Sequence, residues 1–163
     1  MTIAFKYLSL LMKHKIFVFI ACLRCGVPVW RAIAHDASKF SSSEFMQYAK
    51  YSFGGKKNGD EFAAAWLHHQ NNNPHHWEYW ISRSSHKFGP STDENHCLVM
   101  PETYVREMVA DWMGASRAYT GSWDMKEWLA KNLPKIKLHA NSKLMVDAVL
   151  REQGYFITEA ALC

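Results

Sequence analysis

Four short stretches hold most of the residues with which this chain could bind a metal ion or move a proton: "KHK" around His14, "HDASKF" from His35 to Phe40, "HHQNNNPHHWEYW" from His68 to Trp80, and "REMVADW" with Glu107 and Asp111. Imidazole and carboxylate are the ligand set for zinc, iron, manganese or nickel. The adjacent His35 and Asp36 raise a geometric question, because neighbours on a helix point about 100° apart and rarely serve one surface together. They can serve one centre if the imidazole binds a metal terminally while the carboxylate reaches across to a second. Glu107 and Asp111 are four residues apart and share a helix face.

The elements that must position these groups read as helices. Apolar residues from Ile3 to Leu23 recur every three or four positions, and "CGVP" stops that pattern with a C-terminal glycine and a proline that can open the next helix. A second, short helix over 28–37 carries His35 and Asp36 near its end. "SSSE" reads as a capping box opening a third helix over 41–51. "GGKKNGD" is a loop, after which Asp60 can cap a fourth helix, "EFAAAWLHHQ", with His68 and His69 in its last turns. Asn73 then caps and Pro74 begins a fifth, holding His75 and His76 at its start.

Residues 82–99 form a loop long enough to be a lid or a substrate-contacting segment. Pro101 opens the helix of Glu107 and Asp111, and two more helices follow over 124–132 and 142–153, the last stopped by Gly154. No strand alternation is evident, so the expected fold is an all-α, single-domain helical bundle over residues 1–163. Bundles build internal metal sites from one or two ligands per helix.

Bulk properties narrow the function classes. The 163 residues suffice for one packed core, and seven Trp, seven Tyr and nine Phe argue against disorder. A net charge of +4 with scattered basic residues does not indicate duplex nucleic acid as a partner, but is compatible with a small anionic substrate. Of the four cysteines only Cys22 and Cys25 approach a C-x-x-C, with no second pair to complete a structural zinc site, so reduced thiols in a cytoplasmic setting are expected. "KHKIFVFIAC" resembles a lipoprotein signal, yet Arg24 interrupts an apolar run too short to span a bilayer. The segment is therefore expected to stay in the mature chain, with no membrane partner.

The order His14, His35-Asp36, Asp111, with further histidines between, resembles the HD-domain superfamily of metal-dependent phosphohydrolases. "HDASK" also matches the H-D-x-G-K of its two-metal branches, with Ser38 in place of Gly. The whole chain is similar as well to a family of phage and bacterial proteins marked by "HDxSKF", "HHxxxNxHHwxyW" and "MPxxYxxEMxxDW", which would put it in the host cytoplasm if phage-encoded. The superfamily resemblance implies an HD-like fold and two divalent ions of manganese, iron, zinc or cobalt. His14, His35, Asp36 and Asp111 would hold one ion. Asp36, His69 and His75 or His76 would hold the other, with His76 the choice as ligand and His75 as proton donor.

Lys39 would neutralise a phosphate, Glu78 and Glu107 would orient the imidazoles, and Asn73 and Trp77 would contact substrate. The implied activity is hydrolysis of a nucleotide or cyclic nucleotide by a metal-activated water. Two alternatives stand beside it: an HD-type diiron oxygenase with similar ligands, and a non-enzymatic phage protein that binds a host factor. Each residue also has a plainer reading. His14 lies between two lysines as a surface histidine would, His35-Asp36 could simply close a helix, and Asp111 could pair with Arg106. Metal identity and oligomeric state are left open.

Overall fold

Apolar residues at helical spacing produce helices in the computed structural model, which describes residues 1–55, 58–82 and 96–156. Among the described residues seven α-helices follow one another: α1 (Ile3–Arg24), α2 (Val29–Ala34), α3 (Phe45–Phe53), α4 (Gly59–Asn72), α5 (Glu102–Thr120), α6 (Lys126–Asn132) and α7 (Ala140–Glu152). Tight 3₁₀ turns span Ala37–Phe40, Trp77–Trp80 and Leu133–Lys135. Among the described residues the one extended pairing is a single antiparallel bridge between Ile81 and Cys97. The chain is an all-α bundle.

Helix α1 is the spine. Thr2 caps its start, with its hydroxyl accepting from the Phe5 N–H at 3.3 Å. Gly26, at φ 73°, ends it, letting the Val27 N–H turn back to the Cys22 carbonyl at 2.9 Å. The inner face of α1 runs Tyr7, Leu11, His14, Val18, Ala21, all buried. Tyr7 and Leu11 join Tyr48 of α3 and Ala65 of α4 in a small apolar cluster. Val18 and Ala21 join Met108, Val109 and Met113 of α5 and Val146 and Leu150 of α7 in a larger one. His14 lies between the two, so the polar centre sits where the two apolar clusters meet.

The register of α1 on α5 is set by close contact. A Cβ on Gly114 would lie 2.5 Å from the Val18 nitrogen and 2.6 Å from its Cα, so only glycine lets the two backbones approach this far. That crossing brings His14 of α1 beside Asp111 of α5.

Several boundaries differ from the sequence-based expectations, and the differences fall around the site. Helix α2 stops at Ala34, so His35 and Asp36 stand outside it. Glu44 closes no capping box: it is fully buried and bonded to histidines, and α3 begins at Phe45. Asn58 rather than Asp60 caps α4, its side chain accepting from the Asp60 and Glu61 N–H groups. The expected helix at Pro74 is a turn, in which the His76 N–H reaches the Asn73 carbonyl at 3.0 Å, followed by the short 3₁₀ segment. Most of the 82–99 loop lies outside the described residues.

Candidate metal centre

Asp36 is at the middle of the site and has an unusual backbone. Its φ of 56° and ψ of 23° put it in the left-handed region, which Asp and Asn tolerate better than most residues. His35 before it is extended, at φ −47° and ψ 130°. Leaving the helix at this point removes the 100° offset and lets both side chains point into the core. Lys15 fastens the turn from α1, donating to the Ile33 carbonyl at 3.3 Å and to the His35 carbonyl.

The two carboxylate oxygens of Asp36 face two different sets of groups. Oδ2 lies 3.2 Å from His14 Nε2 and 3.4 Å from His35 Nε2, and these two nitrogens lie 3.3 and 3.4 Å from Asp111 Oδ1. Oδ1 lies 3.3 Å from His69 Nε2 and 3.5 Å from His75 Nε2, while His76 Nε2 lies 2.9 Å from His69 Nε2. Both sets, His14 with His35, Asp36 and Asp111, and Asp36 with His69, His75 and His76, converge closely enough to hold one ion each.

The spacings fit cations at both positions. Two ligand atoms each about 2.1 Å from a metal and about 90–110° apart lie roughly 3.0–3.4 Å from one another, whereas charge-assisted hydrogen bonds close to about 2.8 Å. His35 Nε2, Asp36 Oδ1, His75 Nε2 and Asp111 Oδ1 are buried without a hydrogen-bond partner. Each such group is worth about 1–3 kcal/mol of destabilisation if nothing meets it. All four aim at one of the two positions.

Carboxylates hold the other edges of three of the imidazoles, those of His35, His69 and His75, so that their Nε2 atoms face inward. Glu107 Oε1 lies 3.0 Å from His35 Nδ1 and 3.4 Å from His75 Nδ1, and Arg31 steadies Glu107 through Oε2 at 3.0 Å. Glu44 Oε2 lies 2.9 Å from His69 Nδ1, and its Oε1 takes His68 Nδ1 at 2.7 Å. Orientation of this kind raises ligand basicity and fixes the tautomer. His68, with 39 % of its side chain exposed, stands outside the centre, and His69, at 0 %, within it.

The electrostatics match a site built for positive charge. Burial alone would raise Asp36 and Asp111, but His35, Lys39 and His14 beside Asp36, and His35 and His14 beside Asp111, hold both carboxyls well below the ordinary range. Burial also opposes ionisation of Glu107, yet hydrogen bonds from His35 and His75 bring it down to about 2. Burial would lower His35, and the surrounding carboxylates, Asp36 first, lift it instead. Burial pushes His75 and His76 down, reinforced by their imidazole neighbours, which leaves them neutral and able to donate lone pairs. Lys39 contacts Asp36 Oδ2 at 2.5 Å, and that carboxylate outweighs burial and keeps the ammonium charged.

Sequence reasoning therefore names the convergent groups His14, His35, Asp36, His69, His76 and Asp111, and three roles change. His75, the expected proton donor, has a ligand's surroundings, 2 % exposed with its free nitrogen toward Asp36, and groups with His76 instead of standing apart from it. Glu78 stands on the wall of the adjoining cleft instead of behind a ligating imidazole; its Oε2 is buried without a hydrogen-bond partner and burial raises its carboxyl. Asn73 is 7 % exposed, with its amide donating to the His69 carbonyl at 2.8 Å and to Ser38 Oγ at 2.7 Å, so it positions His69 rather than facing substrate. Trp77 does line the cleft. Glu44 was missed, because in sequence a buried glutamate after "SSS" looks the same as a capping one.

A family model described as "Family of unknown function (DUF5662)" matches residues 4–152. The chain belongs to that family. The matched span takes in every group of the centre, from His14 to Asp111, so the site lies within the part that defines DUF5662. No curated protein and no solved structure matches the chain.

Proposed function

We propose that this member of DUF5662 is a metal-dependent phosphohydrolase or phosphodiesterase that cleaves a nucleotide or cyclic nucleotide with a water activated between two divalent ions. One observation carries the reading: the oxygens of Asp36 face two separate ligand sets, as a bridging carboxylate does. Two cations side by side lower the pKa of a shared water toward neutrality and offset charge on the attacking and departing oxygens. In this reading the water, having given up a proton to solvent, would attack phosphorus through its oxygen, the ester P–O bond would break, and the departing alkoxide would take a proton from solvent in the open cleft. Lys39, held charged against Asp36, would neutralise a phosphoryl oxygen in this reading.

The adjoining cleft supports a nucleotide-sized ligand. It has a volume of about 860 Å³, reaches His75, His76 and Asp111 at one end, and is walled by Trp66, Trp77 and Trp112. That volume is near the upper end for sites taking organic ligands of this class, and flat indoles suit a nucleobase.

The test uses tag-free protein loaded separately with manganese, iron or zinc. It is assayed on bis(p-nitrophenyl) phosphate and on 2′,3′- and 3′,5′-cyclic mononucleotides, with and without oxygen. The expected result is turnover that does not depend on oxygen and falls at least about 100-fold in His69→Ala. Turnover that requires oxygen would replace this reading with the diiron oxygenase. A fully loaded protein inert toward every substrate would favour the non-enzymatic one.

A further inference from the structure

Helix α1 is apolar on two faces. Opposite the buried row, Phe5, Leu8, Met12, Ile16, Ile20 and Leu23 recur at steps of three and four and are all exposed. Together they make an outward stripe along the whole length, roughly 33 Å at 1.5 Å per residue. The surface continues onto α2 and the turn after it, where Val29, Trp30 (65 % exposed), Ile33 (63 %) and Phe40 face outward. Lys15 ties the two parts together, bonding the Ile33 carbonyl and lying 5.9 Å from the Phe40 ring centre. Ten large apolar side chains expose on the order of 900 Å², well above the few hundred that monomers usually tolerate in one patch.

The charge carried by this segment of the chain has one sign. Residues 1–35 contain Lys6, Lys13, Lys15, Arg24 and Arg31 and no Asp or Glu. Lys6 and Lys13, seven residues apart and both exposed, line one edge of the stripe. We propose that the outward face of α1 and α2 docks in the plane of an anionic lipid surface, with the apolar stripe in the acyl boundary and the lysine edge among the headgroups. An amphipathic helix with Phe, Ile and Trp on one side and lysines at the margin is the chemistry such surfaces select. A two-fold pair of chains is the less suited occupant. Antiparallel stripes would set the Lys6–Lys13 edge of one copy along the same edge of the other, with no carboxylate in this region to neutralise it.

No helix among the described residues is long and apolar enough to cross a membrane, so the contact is lateral. Lateral docking departs from the sequence-based expectation of no membrane partner, which speaks only against a spanning segment and a lipoprotein signal. The cleft takes none of its lining from α1 or α2, so docking leaves its mouth in water. The inference is independent of the metal chemistry.

Flotation of the full chain with vesicles of phosphatidylcholine and phosphatidylglycerol, against phosphatidylcholine alone, tests it. The expected result is binding to the anionic vesicles, at least about tenfold weaker to neutral ones and weakened by high salt. Ile16→Ser with Trp30→Ser should remove most of the binding, and Lys6→Glu with Lys13→Glu should remove the preference for anionic lipid, both at unchanged metal content and melting temperature. Absence of binding to anionic vesicles, or equal binding by the Ser variant, overturns the proposal. A dimer in sedimentation that the Ser substitutions dissociate, without vesicle binding, assigns the face to a second copy and overturns it too.

Discussion

At the scale of single residues, the unusual feature is an aspartate held at φ 56° so that its carboxylate can face two sets of imidazoles. The residue types at the centre were legible in the sequence because His and Asp in that order have few other reasons to recur on separate elements. Which member of "HH" faces inward was not, since the choice depends on where α4 ends and on Glu44, 25 residues away from His69 in the chain. The carboxylates behind the imidazoles make a selective prediction. Glu44→Gln, which touches only His69 of the ligands, should weaken the second ion about 10–100-fold and leave the first near normal; Glu107→Gln, which serves both His35 and His75, should weaken both. Metal titration resolving two affinities decides this, and equal effects of the two variants would contradict the assignment.

At the scale of elements, the long helices were readable from apolar period, and the short connections were not. Pro74 and Asn73 form an apparent helix start, but Asn73 turns its amide inward to the His69 carbonyl and Ser38, so it closes the end of α4 instead of opening a helix, and the chain makes a turn. The closest element contact is α1 on α5, where Gly114 packs on the Val18 backbone. Gly114→Ala would gain about 1 kcal/mol of helix propensity, but the added carbon meets backbone rather than a movable side-chain tip, so the overpacking cost prevails. A net loss of about 2 kcal/mol is expected in denaturant titration. Because that crossing sets the 3.3 Å approach of His14 to Asp111, the variant should lose the first ion more than the second. An unchanged midpoint would show that the helices can part without loss.

At the scale of the molecule, a polar centre between two apolar clusters would, on the proposed reading, couple folding to metal. An ion that binds only the folded chain, present at about 100 times its dissociation constant, adds about 2.7 kcal/mol of stability. For a domain of this size, removal by a chelator should lower the melting temperature by about 5–10 °C, with recovery on adding metal back. Identical melting of stripped and loaded protein would mean the cluster is held by its own ion pairs. The all-α architecture followed from composition and period alone, whereas the joining of the two clusters at His14 depends on α1 serving both, which no local pattern reveals. The central claim is that Asp36 bridges two ions, and elemental analysis of tag-free protein tests it most directly. Wild type should carry about two divalent ions per chain, and Asp36→Asn, which tolerates the left-handed backbone but removes the charge, should lose most of both. A wild-type chain that holds no metal after incubation with manganese, iron or zinc would contradict the account.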